Sequence, residues 1–199
     1  MNYRINKQKL LERLSAWDGF LKIKVNLIAC GGTAVTLLGI KDSTKDIDLL
    51  VPEPEQYEYL INILKQLGYE PVTGNGWARE GDFVFDLFKG KSVHTTELLE
   101  SPLKKDKHIF IAELNHIYLG ALNYYDLIIS KIFRSLSVDT EDCMALIKAK
   151  KDEINFKRLK QLYYKTASYD ISEDKVIKYF ESFVEKLKKE GIYDEKQSY

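Results

Sequence analysis

Apolar residues recur along the chain in two rhythms. Between residues 5 and 20, Leu10, Leu11, Leu14 and Trp17 stand three and four positions apart, the spacing of one helix face. "KVNLIAC" (24–30) is a short apolar run that predicts a strand. Gly31-Gly32 then punctuates it, and "TAVTLLGI" reads as a helix starting directly after the turn. "KDSTK" is a polar loop, and "DIDLLVP" a second strand stopped by Pro52. "EPEQYEYLINILKQLGYE" is amphipathic: Tyr57, Leu60, Ile61, Leu64 and Leu67 share a helix face, and Gly68 ends it.

The pattern then turns strand-rich. "EPVTG", "GWARE" and "DFVFDLF" are separated by Gly74-Asn75-Gly76 and Gly81, which are turn signals, and "HIFIAEL" and "HIYLGAL" follow as two more short strands. From Asn123 the rhythm becomes helical through "NYYDLIISKIFRSLS", "TEDCMALIKAK", "INFKRLKQLYYKTA" and "EDKVIKYFESFVEKLKKEG". The expected fold is α+β: a small mixed β-sheet flanked by helices, then a helical C-terminal region. The expected division is residues 1–122 for the core and 123–199 for the helical region, packed together because no flexible linker separates them.

Composition changes this picture little. The 199 residues are 45% hydrophobic and 30% charged, with a formal net charge of zero, so the whole chain is no polyelectrolyte partner for nucleic acid or membrane. Two cysteines, Cys30 and Cys143, are too few for a disulfide framework. The charged start "MNYRINKQKLLERLSAW" lacks the apolar core of a signal peptide, and no apolar run nears the ~18 residues of a membrane span. A cytoplasmic protein without membrane partners is expected.

The candidate chemistry lies in "ACGGTAVTLLGIKDSTKDIDLLV", residues 29–51. On a strand, Asp46 and Asp48 point the same way. Two ionised carboxylates side by side repel, and burial makes that worse, unless a divalent cation lies between them. Magnesium prefers carboxylate oxygens and phosphates, and a pair of such ions serves phosphoryl transfer. Gly31-Gly32 ahead of a helix offers backbone N–H groups to an anion, and Thr33 adds a hydroxyl there. A third acid is sought in "GDFVFDLFKG". Asp82 follows a turn glycine, where aspartate is ordinary; Asp86 interrupts an apolar strand, where it is costly, and is the choice.

A Gly-Gly pair, a helix, then Asp-hydrophobic-Asp opening the next strand resembles the signature of the nucleotidyltransferase superfamily that includes DNA polymerase beta. Here Gly31-Gly32 is followed by residues 33–45 and then Asp46-Ile47-Asp48-Leu49, near the long end of the family's spacing, and Asp86 matches its third acid. "LNYYDLIISKIFRSLSVDTEDCMAL" is similar to the helical segment of the AbiEii-type toxin and minimal nucleotidyltransferase branch, with Lys131 and Asp142 at matching positions. Where that branch carries Arg-Asp before its last acid, this chain has Ser135 to Glu141.

The resemblance implies transfer of a nucleoside monophosphate from an NTP, ATP among them, to an acceptor hydroxyl. Asp46, Asp48 and Asp86 would be catalytic and would bind two Mg²⁺ ions, with Mn²⁺ as a substitute. Gly31, Gly32, Thr33 and Lys131 would bind the nucleotide. The implied acceptors are RNA such as tRNA, or a protein, in a toxin–antitoxin pair with an antitoxin partner. The alternatives are an antibiotic-like small-molecule acceptor, or a non-catalytic protein that binds a nucleotide or a partner.

Other features carry bland readings. His94, His108 and His116 have no metal-like spacing and read as surface or strand residues. Cys30 reads as core. The stretch 148–165, "KAKKDEINFKRLKQLYYK", interleaves lysines with Phe156, Tyr163 and Tyr164, which suits nucleic acid or a solvated helix face with core aromatics; the second reading is preferred.

Overall fold

The computed structural model describes residues 4–81 and 83–194. Helix α1 (Lys7–Asp18) is capped by the Asn6 side chain, which accepts from the Lys9 N–H. Then come β1 (Val25–Ala29), α2 (Gly31–Leu37), β2 (Ile47–Val51) and α3 (Pro54–Gln66), which has proline in its first turn. Strands β3 (Glu70–Pro71), β4 (Gly76–Ala78) and β5 (Phe85–Lys89) precede a small hairpin of β6 (Ser92–Val93) and β7 (Thr96–Glu97). Strands β8 (His108–Glu113) and β9 (Ile117–Leu122) lead into α4 (Tyr124–Arg134), α5 (Ser137–Ala149), α6 (Phe156–Ala167) and α7 (Glu173–Lys189).

Seven strands form one mixed sheet in the order β3-β4-β5-β2-β1-β9-β8. Strand β1 runs antiparallel to β2 but parallel to β9, and β2 runs parallel to β5. The antiparallel β1–β2 pair brings the end of one strand beside the start of the other, which a parallel α/β crossover would not do. One sheet face carries Phe85, packed on Trp17 of α1 with ring centroids 4.3 Å apart and on Tyr69. The opposite face carries Asp48, Asp86 and Phe88, and the C-terminal end of α4 approaches it.

The expected α+β architecture is the one observed. Several boundaries differ for local reasons. Helix α2 begins at Gly31 itself, so the two glycines form its first turn. Strand β2 starts at Ile47, leaving Asp46 exposed just ahead of the strand, not within it as the alternation suggested. The strand expected over 70–74 pairs only at Glu70–Pro71, because Gly74 turns the chain at φ +69°. Asp82, the alternative third acid, lies outside the described residues.

Helices α4 and α5 pack on α2, which joins the helical region to the sheet. On α6, Tyr163 is buried and donates to the Val176 carbonyl, Phe156 stacks on Tyr193, and Tyr164 meets Phe180 edge-on. The aromatics of the lysine-rich stretch therefore belong to the helical core, and its lysines Lys157 and Lys160 face outward. Among the described residues no helix is long and apolar enough to cross a membrane.

Candidate active site

The β1–β2 corner is held by short polar contacts. The Cys30 N–H donates to the Asp48 carbonyl at 3.1 Å. The Thr33 hydroxyl donates to the Asp46 carbonyl (3.1 Å) and accepts from the Asp48 N–H (2.9 Å). Thr44 donates to the same Asp46 carbonyl, and its own backbone bridges to Ile5. Thr33, expected at a phosphate, thus fixes the backbone on both sides of Ile47. Gly31 has φ +54°, and a Cβ there would overlap the Asp48 carboxylate. At Gly32 a Cβ would lie 2.7 Å from the Thr44 hydroxyl oxygen. The missing side chains are filled by the protein's own polar atoms, while the first-turn N–H groups of α2 keep no i−4 partner.

Across the parallel β2–β5 pair, Asp48 stands directly opposite Asp86. Gly76 of β4 lies opposite Asp86 on the other side, where a Cβ would press on Val72 at 2.6 Å and come within 3.3 Å of the Asp86 carboxylate. Burial, and then the Asp86 charge, push the Asp48 carboxyl up to about 7. Burial and Asp46 raise Asp86 as well. Asp46, exposed at the strand mouth, contributes to both shifts, so the three acids share one electrostatic neighbourhood. Among the described residues, no three His, Cys, Asp or Glu side chains are already gathered into a metal cage.

A second cluster lies behind this one. Lys131, expected at the nucleotide, is only 2% exposed, and its ammonium donates to Asp139 and Asp142, both at 2.9 Å. Lys41, just after α2, donates to the other Asp142 oxygen at 2.8 Å. Asp139 is fully buried and receives a bidentate fork from Arg134, Nε to Oδ2 at 2.8 Å and Nη2 to Oδ1 at 2.7 Å. Burial would raise Asp139, but Arg134 and Lys131 outweigh it and hold it below the usual carboxylate range.

His94 joins the two clusters. It sits at the tip of the β6–β7 hairpin with φ +52°, its ring edge-on to Phe88. Arg134 Nη1 lies 3.0 Å from its Nε2, and that same nitrogen is 3.8 Å from Asp48 Oδ1. Burial, then the Arg134 charge, lower His94 to about 4, so at neutral pH the contact with Asp48 joins a neutral ring to an acid and is not an ion pair. The surface or strand reading of His94 is therefore corrected: it is a turn residue inside the site. Arg134, Asp139 and His94 are the site residues that sequence reasoning passed over. For Arg134 and Asp139 the one signal was the Lys131–Arg134 and Asp139–Asp142 pairing, two charged pairs each three apart on consecutive helices; His94 had none.

A mixed sheet with a Gly-Gly helix start, a carboxylate pair in register on adjacent strands and helices closing one face defines the nucleotidyltransferase class. The family described as nucleotidyltransferase of unknown function (DUF6036) matches residues 20–191, and the chain belongs to it. No curated protein matches the chain. Among solved structures it is similar to ANT(2")-Ia in complex with adenylyl-2"-tobramycin, with TM-score 0.54 and 16% identity over 80% of this chain and 95% of that one. It is also similar to an antigenic nucleotidyltransferase-like protein from Paracoccidioides brasiliensis, with TM-score 0.51 and 16% identity over 89% and 95% of the two chains. At such identities the likeness shows the fold.

Proposed function

We propose that the protein transfers a nucleoside monophosphate from an NTP to an acceptor hydroxyl, with a divalent cation held at Asp46, Asp48 and Asp86. The observation that carries this reading is the in-register Asp48–Asp86 pair, beside a helix start that no side chain caps. Two acids raised by burial and by neighbouring carboxylates form an all-oxygen donor set whose unfavourable charge a hard cation would relieve, so the residues fit magnesium, as a pair of ions, or manganese. When bound, the metal supplies positive charge against the triphosphate.

The chain's own groups do the rest. The N–H groups of Gly31, Gly32 and Thr33 orient phosphate oxygens at the start of α2. Asp86, the less buried of the strand pair, takes the acceptor's hydroxyl proton on a carboxylate oxygen as the new O–P bond forms. The bond between the α-phosphorus and its bridging oxygen breaks, and pyrophosphate leaves. Lys131 contributes its charge to the field at Asp48 from behind the buried ion pairs. Supported by the resemblance of residues 122–146 to the toxin branch, the acceptor is a hydroxyl of RNA such as tRNA or of a protein, with an antitoxin as regulatory partner. A small-molecule acceptor is the second reading, supported by the fold likeness to ANT(2")-Ia.

The test is incubation with each α-labelled NTP and Mg²⁺ or Mn²⁺, together with total RNA, with the protein alone, or with an aminoglycoside. Label is expected in RNA or protein, and none with Asp48→Asn or Asp86→Asn. Absence of label in every acceptor with every NTP and both metals overturns the reading.

A further inference from the structure

The proposed triphosphate needs a cation on the acid face, and Lys131 does not present one to solvent: its ammonium is enclosed by Asp139 and Asp142. One helical turn further on, Arg134 does. Its Nε and Nη2 are fixed in the fork to Asp139, which orients the guanidinium plane. Its Nη1 points the other way, towards His94, and the side chain is about a quarter exposed. His94 in turn lies between Nη1 and Asp48.

The position of His94 is unusual in itself. A two-residue hairpin turn with positive φ at its first central position ordinarily carries glycine, asparagine or aspartate. Here a bulky ring takes that place at φ +52° and is packed on Phe88. Strain of this kind persists where the surroundings hold it, and it clusters at functional sites. The ring can do one thing that glycine cannot: its Nε2 accepts from Arg134 Nη1.

We propose that Arg134 is the residue that receives the terminal phosphates of the donor nucleotide, and that His94 is a positioning residue that aims Arg134 at them. This rests on the nucleotidyl-transfer reading for the identity of the ligand. The anion site itself is defined by chain geometry: a planar, partly exposed donor fixed on one side by a buried carboxylate, with its Nη1 against the His94 ring that borders Asp48. His94 contributes a ring nitrogen that accepts from Nη1 and so holds the guanidinium in place.

The experiment is calorimetric titration of the full chain with inorganic tripolyphosphate in magnesium buffer, which requires no transfer. The wild type is expected to bind, and Arg134→Gln to lose at least about tenfold in affinity, the scale of a lost charge-assisted bidentate contact. Because Arg134→Gln leaves Asp139 without its fork, Arg134→Lys serves where the first variant does not fold; it keeps the charge, loses the planar fork, and is expected to bind several-fold more weakly. His94→Gly separates positioning from folding. Glycine suits φ +52°, so the melting temperature is expected to hold or rise while tripolyphosphate binding weakens. His94→Asn, which tolerates the turn and restores an acceptor, is expected to recover part of the binding. Wild-type affinity in Arg134→Lys or Arg134→Gln, unchanged binding in His94→Gly, or no binding by the wild type each overturns the proposal. A wild type that binds tripolyphosphate through Arg134 yet transfers no nucleotide supports the anion site and counts against the transferase reading instead.

Discussion

Asp48 on β2 and Asp86 on β5 occupy directly opposite positions across a parallel strand pair, with like charge and with Asp48 almost fully buried. Asp48 is raised from an ordinary carboxyl value to about 7, so the folded chain holds its proton more tightly than the unfolded chain does. Stability from this group is fully present below the unfolded value and is lost as pH rises through about 7. In EDTA, Asp48→Asn is therefore expected to melt higher than wild type at pH 8, by an amount on the order of a few kcal/mol, with the gap closing towards pH 4. Urea melts at the two pH values measure it. A gap that is equal at both pH values would remove the repulsion argument.

His94 gives a slope of opposite sign. Its value in the folded chain is depressed to about 4, so its contribution is present above the ordinary histidine range and is lost as pH falls towards 4. Histidine proton NMR is expected to show the His94 ring unprotonated at pH 5.5. In His94→Asn the decline in stability between about pH 6.5 and 4 should shrink. A His94 ring that titrates near 6.5 contradicts this.

Gly31 and Asp48 cannot both carry side chains where they stand. Gly31→Ala combines positive φ with overlap of the Asp48 carboxylate, and is expected to cost roughly 1–3 kcal/mol. Part of that cost is steric and specific to the pair. In an Asp48→Gly background the same alanine should cost measurably less, and the double-mutant cycle reads the difference. Additive costs would mean that the clash is relieved elsewhere.

Lys131 neutralises two buried acids at once. Lys131→Met is expected to destabilise the protein by somewhat less than the ~3–5 kcal/mol of a buried pair broken outright, because Asp139 keeps its Arg134 fork and Asp142 its Lys41 contact. Adding Asp142→Asn should restore part of it. Thermal melts of the single and double variants decide the matter, and a single variant that melts like wild type would show that water enters the cluster.

What was legible in the sequence was local or anomalous. Gly31, Gly32, Asp46 and Asp48 lie close together in one segment, and a strand, turn, helix and strand order suffices to gather them. Asp86 showed itself as a carboxylate within an apolar run, and the parallel register places it opposite Asp48. Lys131 could have been read more fully. It lies four after Leu127 and three after Ile128, on the buried stripe of α4, where a lysine needs acidic partners. His94 was not legible, because "KSVHTTELLE" carries neither period. Its strands are two residues long, and its partner Arg134 is 40 positions away. The offset of Asp46 from the strand follows from hydroxyl bonds of Thr33 and Thr44 to its carbonyl, which no hydropathy pattern contains.

The β2–β5 pairing has a further consequence, for the order in which the chain assembles. Strands β1 and β2 are joined through one short helix and a loop, so they can meet early. Strand β5 must come back past α3, β3 and β4 to find its register, and non-local parallel pairing of this kind is the slow part of folding. The last step of that search brings Asp86 up to Asp48, so like charges oppose the contact that completes the sheet. A divalent ion present in the refolding buffer would then act as a template for the zippering of two strands, and refolding in magnesium should outpace refolding in EDTA.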